Sequence, residues 1–343
     1  MAAMTETEML AALASLGSNS DSDDDVGGGS IVAPDATERQ VNLVRLQDGI
    51  PIYLWRRAMS FLTVCEQAVS VRGVSRFFRE CSDVYMENFW SEPTIHIPQD
   101  ASSLERAIEM CQYLMRQEEY VEGTTMVVAL GSGVYEVFGS CRVPGCGTRQ
   151  KTLSIPFDNL SFVGKGEGET IVDGGFAVEN GRKVSFAGLT MKSSSGSGLY
   201  AFGAGTEVHL QSVTMEECQG SGVDVRDGAN LGATECHFHQ NGVDGVYVFG
   251  STTTARLTNC TSHHNKRNGV YAHSGAVMDL MGEGTSMHDN ESHGLAAYPR
   301  GTIINVYQPC VLNDMSHGNK GQNICMFAGG IVQQKGTPGF IVV

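Results

Sequence analysis

The stretch CHFHQNGVDGVYV, Cys236 to Val248, decides the fold. It holds two turns, Asn241-Gly242 and Asp244-Gly245, and then a small–aliphatic pair, Gly245-Val246, that opens an alternating run. The same pair recurs at Gly198-Leu199, Gly222-Val223, Gly269-Val270 and Gly294-Leu295, with weaker copies at Gly175-Phe176 and Asn323-Ile324. Counted from Phe176, the steps are 23, 24, 23, 24, 25 and 29 residues. A steady period of this length marks a stacked-repeat architecture. It is too short for paired helices, and the L-x-x-L-x-L frame of leucine-rich repeats is absent.

A second marker follows the first by 13 to 15 residues: Val213, Cys236, Cys260, Thr285 and Cys310. Ahead of it lie the alternating pairs Val184/Phe186, Val208/Leu210, Leu231/Ala233 and Ala255/Leu257. Alternation at period two predicts strands with one buried face. The Asn-Gly, Asp-Gly and Ser-Gly dipeptides between them supply positive φ at low cost. Several short strands per period, each period lying on the last, predict a mainly β chain wound into a parallel β-helix of about seven coils. Equivalent positions then stack about 4.8 Å apart. This aligns Asn241, Asn265 and Asn290 in a hydrogen-bonded column, and His239, His263 and His288 in another.

The frame at Cys236–Val248, together with GSGVYEV…LSFVGKGEGETIVDGG from Gly131 to Gly175, resembles the right-handed parallel β-helix repeats of the pectate-lyase-like superfamily, also called carbohydrate-binding and sugar-hydrolase repeats. The resemblance spans residues 124–334. It implies a fold and leaves the chemistry open, because fold does not fix function.

Outward from the repeat, the 343-residue chain changes character. Its net charge is −15, of which −11 falls in residues 1–122 (9 basic, 20 acidic) and −4 in the rest (14 basic, 18 acidic). Neither part offers a basic stripe, so nucleic acid is not an expected partner. No apolar run is long enough to span a membrane. Ten cysteines without a C-x-x-C pair, and no basic, apolar leader, predict a reducing compartment, cytoplasmic or nuclear. Residues 1–41 read as a disordered acidic segment around SNSDSDDDVGGGS, Ser18 to Ser30, preceded by a short helix at 5–16.

In residues 42–92 glycine becomes scarce and apolar spacing turns helical. The string GIPIYLWRRAMSFLTVCEQAVSVRGVSRFFRE…NFW resembles an F-box, a small helical bundle. The matching positions are Pro51, Leu54, Ser60-Phe61-Leu62, Val74-Ser75-Arg76-Phe77-Phe78-Arg79 and Trp90, with Ile50-Pro51 in place of the usual Leu-Pro. By resemblance, Pro51, Leu54, Phe61, Leu62, Val74, Phe77 and Trp90 would bind the Skp-family adaptor of a cullin–RING ubiquitin ligase. The alternative is a helical bundle that caps the rod.

Residues 93–123 predict a strand at Thr94–Ile97 and an amphipathic helix from Ser102/Ser103 to about Glu119, covering the open end of the β-helix in residues 124–343. Residues 139–150, with Cys141 and Cys146, read as a loop off the rod. At the other end, Pro338-Gly339 and the apolar run Phe340–Val343 are expected to fold back as a cap near Ile324, Met326 and Ile331.

For chemistry on the rod, the acids Asp224, Asp227, Glu235, Asp244 and Asp279 share no column, and the carboxylate signatures of sugar hydrolases and the acidic cage of a calcium site are missing. The stacked histidines are candidates for zinc or for pH sensing, against the plainer reading of solvated corners. The expectation is therefore a non-catalytic protein with no cofactor and no resident metal. It would be the substrate receptor of a Skp–cullin–F-box ubiquitin ligase, with the β-helix as target-binding arm. The alternative is a glycan-binding or glycan-processing β-helix protein of the cytosol.

Overall fold

A computed structural model of the chain describes residues 93–116, 120–143, 147–192 and 194–336. They belong to one unit, Glu92–Val343. Each coil gives one short strand to each of three parallel sheets. Sheet I has ten strands, from β1 (Thr94–Ile97) to Ile331–Lys335. Sheet II has eight and ends at Ser316–His317; sheet III has eight, from Thr152–Ser154 to Ile324–Met326. The rod thus makes about eight turns, one more than the repeat count. The extra turn precedes Phe176, where the small–aliphatic pair is lost and Leu153 takes the position paired with it.

The register is the one the repeat predicts. Phe176, Leu199, Val223, Val246, Val270, Leu295 and Ile324 open successive strands of sheet III and pair in that order. The alternating pairs Val184/Phe186, Val208/Leu210, Leu231/Ala233 and Ala255/Leu257 line the inside of sheet I in register, all buried. The second marker fills the corner between sheets I and II, where Val213, Cys236, Cys260, Thr285 and Cys310 are buried. In the early coils Phe162, Phe176 and Phe186 form a triad with ring centroids 4.9–5.1 Å apart, a spacing at which aromatic pairs attract beyond their buried area.

The asparagine column is present, fully buried at Asn241, Asn265 and Asn290, and one rung longer than predicted, with a half-buried Asn319 at its end. The Asn241 side chain donates to Asn265 Oδ1 at 3.0 Å, Asn265 donates to Asn290 at 3.0 Å, and Asn290 donates to Asn319 at 2.9 Å. The carboxamide oxygens of Asn265, Asn290 and Asn319 also accept the backbone N–H of the asparagine in the preceding coil, and that of Asn241 accepts the Cys218 N–H at 3.2 Å. Asn319 escapes the sequence count because its coil carries an inserted helix, α2 (Leu312–Met315).

At the N-terminal end α1 spans Leu104–Leu114, shorter than predicted. Ser103 caps it by accepting the Arg106 N–H at 3.2 Å. It buries Leu104, Ala107, Ile108, Met110, Cys111 and Leu114 and packs against β1. The predicted strand β1 is itself the first strand of sheet I, paired with Met126–Leu130, so the solenoid begins before residue 124. The expected loop at 139–150 is instead an antiparallel ribbon of Ser140–Val143 and Gly147–Gln150. Val143 packs against Ala177, Tyr200 and Phe202, which fastens the ribbon to the outside of sheet III. The proposed cap at 338–343 lies outside the described residues; Met326, Phe327 and Ile331 of the last coil are exposed.

Candidate active site

In every sheet III strand the marker residue points inward, so the next residue points out. Outward neighbours Tyr200, Asp224, Tyr247 and Tyr271 therefore run in one row, and Phe202, Arg226, Phe249 and His273 in a parallel row. A cleft of about 280 Å³ lies over these rows. Its lining includes Tyr200, Asp224, Arg226, Tyr247, Tyr271, the turn residue Asp244, Arg267, and Arg149 from the ribbon.

The charged groups are tightly organised. Arg226 makes a two-pronged contact with Asp224, Nε to Oδ1 at 2.5 Å and Nη2 to Oδ2 at 2.7 Å, the planar fork for which arginine is suited. Its guanidinium sits 5.2 Å from the Tyr247 ring centroid, within cation–π range. Asp224 is 5% and Asp244 2% exposed. Burial pushes the Asp224 carboxyl up, against the opposing pull of Arg226. Burial also raises Asp244, to about 6, although it accepts the Asn268 backbone N–H at 3.0 Å and the Asn268 amide at 2.7 Å. Burial pushes Tyr247 up to about 12 and also raises Tyr200 and Tyr271, so the phenols stay protonated. A carboxyl titrating near neutrality in a cleft is a candidate proton donor or acceptor. Asp244 also has a structural duty, since it forms one rung of a turn ladder between Ser221 and Asn268.

The cleft continues toward the last coil through Arg267 and Tyr271 into a second hollow with Tyr298 and Phe327. A larger trough of about 700 Å³ crosses Gly232 on sheet I. Its outward lining of Ser, Thr, Asn and Gln also includes Glu207, His209, Arg256 and Asp279, none of them buried, which favours the sheet III cleft as a reaction site.

The predicted histidine column is also real: His239, His263 and His288 stack on sheet II, and His317 continues them. Among the described residues no three His, Cys, Asp or Glu side chains form a group that could hold a metal ion. No helix among them is long and apolar enough to cross a membrane. The residues expected by resemblance to bind an adaptor, Pro51, Leu54, Phe61, Leu62, Val74, Phe77 and Trp90, lie outside the described residues.

The chain matches the family described as "Right handed beta helix region" over residues 172–331. The rod is a right-handed parallel β-helix. No curated protein gives a match. Among solved structures, the rod is similar to the A-module of the Azotobacter vinelandii mannuronan C-5 epimerase AlgE4, with 18% identity, TM-score 0.45, and coverage of 61% of this chain and 67% of that one. The A-module of the AlgE6 epimerase from the same organism gives 16%, 0.45, 66% and 69%. ORF18 of Geobacillus virus E2 gives 10%, 0.35, 75% and 63%. These are likenesses of fold, and the named activities belong to those proteins.

The expectation of a non-catalytic protein is corrected. Two of the similar structures carry the name of an epimerase, at 18% and 16% identity, so the likeness leaves enzymatic activity open. The search for acids in a single column also missed the relevant geometry. Asp224 lies on a strand and Asp244 in the turn of the next coil, in different columns, yet both line one cleft. Arg149 was missed because the ribbon was read as a loop; Pro144-Gly145 between two short polar runs was the hairpin signal available.

Proposed function

We propose that the sheet III cleft binds and processes an acidic glycan, which narrows the glycan-binding or glycan-processing alternative drawn from sequence. One observation carries it. In a chain of net charge −15, three arginines, Arg149, Arg226 and Arg267, gather with two buried carboxyls and three tyrosines in a single concave site. Tyrosine offers a flat apolar face with a polar edge, suited to a sugar ring. Arginine matches a carboxylate in planar geometry. Asp244, near neutral pKa, supplies the proton acceptor or donor that rearrangement or cleavage of such a sugar requires. A surface that only displays a protein target needs none of this chemistry, which is why the ligase-receptor reading becomes secondary.

The test is a panel of uronate-bearing and neutral oligosaccharides, followed by calorimetry and by product analysis. Binding is expected for the uronates alone, weakened about tenfold by Arg267→Ala, the loss of one charge-assisted contact. Asp244→Asn, which keeps an oxygen for Asn268, should leave binding intact and reduce turnover by about 10²–10⁴-fold. If Asp244 is the base, turnover rises with pH through about 6 as the carboxyl ionises; if it is the acid, turnover falls over the same interval. Binding to none of the panel, or uronate binding indifferent to Arg267, would overturn the proposal.

A further inference from the structure

The outer face of sheet II carries a line of imidazoles that the cleft does not use. His239, His263, His288 and His317 occupy one position in four consecutive coils. Their ring centroids are 5.0, 5.0 and 5.1 Å apart, and their planes lie within 7°, 12° and 8° of parallel. The spacing is set by the strand separation, so the rings cannot move apart unless the coils do. His239 is 16% and His288 24% exposed.

We propose that this ladder makes the C-terminal half of the rod acid-sensitive: a charge on His263 would be held about 5 Å from the rings above and below it, so acid favours opening of those coils, where the imidazole can take its proton. The surroundings grade the response. His239 Nε2 lies 3.6 Å from Glu216, which shares Lys192 with Glu217. His288 Nδ1 lies 2.9 Å from Asp289. These two rungs each have a carboxylate within reach. His263 has no carboxylate beside it; it meets His264, Nδ1 to Nδ1 at 2.8 Å, and is flanked by His239, His288 and His237. Burial first, and then these neighbouring imidazoles, hold it down to about 4. A histidine whose pKa is lower folded than unfolded contributes stability that is complete above its unfolded value of about 6.5 and lost as pH falls toward the folded value. The sensitive window is therefore about pH 6.5 to 4. The early rungs of the same column, Asp173 and Lys192, carry no imidazole, so the first coils serve as an internal control.

The experiment uses the full chain. Histidine ring protons are followed by NMR from pH 8 to 4.5, and amide exchange, corrected for intrinsic rate, is compared at pH 7.5 and 5. His263 is expected to be still mostly neutral at pH 5. Exchange at pH 5 should rise at least about tenfold in strands 237–239, 261–263 and 286–288 relative to 170–173 and 190–192, with the difference narrowed by added salt. The His263→Gln/His288→Gln variant should lose most of this pH dependence. If that variant does not fold, the wild-type titration decides. His263 titrating near its ordinary value of about 6.5, or equal acid loosening of both halves, would overturn the proposal.

Discussion

Asn265→Leu is expected to lower the stability of the rod by about 3–5 kcal/mol and its melting temperature by about 10 °C. The carboxamide is fully buried and bonds in three directions. Its oxygen accepts from both the backbone and the side chain of Asn241, at 3.1 and 3.0 Å. Its nitrogen donates to Asn290 at 3.0 Å, to the Phe238 carbonyl at 3.0 Å and to Ser262 at 3.1 Å. Leucine matches the volume but leaves the Asn241 N–H and the Phe238 carbonyl without these partners in a place water does not reach. Each such orphan costs about 1–3 kcal/mol. Lys266→Ala, one residue on and exposed, should change stability by less than about 0.5 kcal/mol. Thermal melts of the two variants make the comparison, and equal melting points would show the column to be dispensable.

Gly245→Ala is expected to be comparably damaging, at about 3 kcal/mol or more, for a different reason. Gly198, Gly222, Gly245, Gly269 and Gly294 sit where each coil turns into sheet III, and each lies against the next coil. A β-carbon on Gly245 would fall 2.6 Å from the Gly269 carbonyl oxygen, 3.0 Å from the Asn265 amide nitrogen, and closer still to the Ser262 hydroxyl. Backbone cannot step aside without prising two coils apart. Gly336→Ala, where nothing lies within 4 Å of the added carbon, is the matched control. Loss of soluble, folded protein in the first and none in the second is the expected result. Equal melts would mean that the coils separate more easily than their contacts imply.

These two positions also show what the sequence makes legible. Glycine and asparagine recur at fixed steps because coil contact tolerates little else there, so the strands, their register and the ladder could be counted off the chain. Counting failed where something was inserted. The helix α2 lengthens the coil before Ile324 and hid the Asn319 and His317 rungs. The ribbon at 140–150 masks the first full turn and was read as a loop. The cleft was harder to see for a geometric reason. A column search compares one position with itself in successive coils, whereas Asp224, Asp244 and Arg149 come from a strand, a turn and a ribbon, and become neighbours only once the rod is wound.

Among the described residues, and apart from that ribbon, all the strand pairing joins one coil to the next, so the hydrogen bonds of the sheets run along the rod and none of them closes a coil upon itself. Mechanical load shows what this means. A force drawing the last strand away from the end would peel the molecule like thread from a spool. Each turn would let go as a unit, releasing its 23–29 residues, about 80–100 Å of chain. The record of such a pull should be a staircase, with its tallest steps where asparagine rungs fasten one turn to the next.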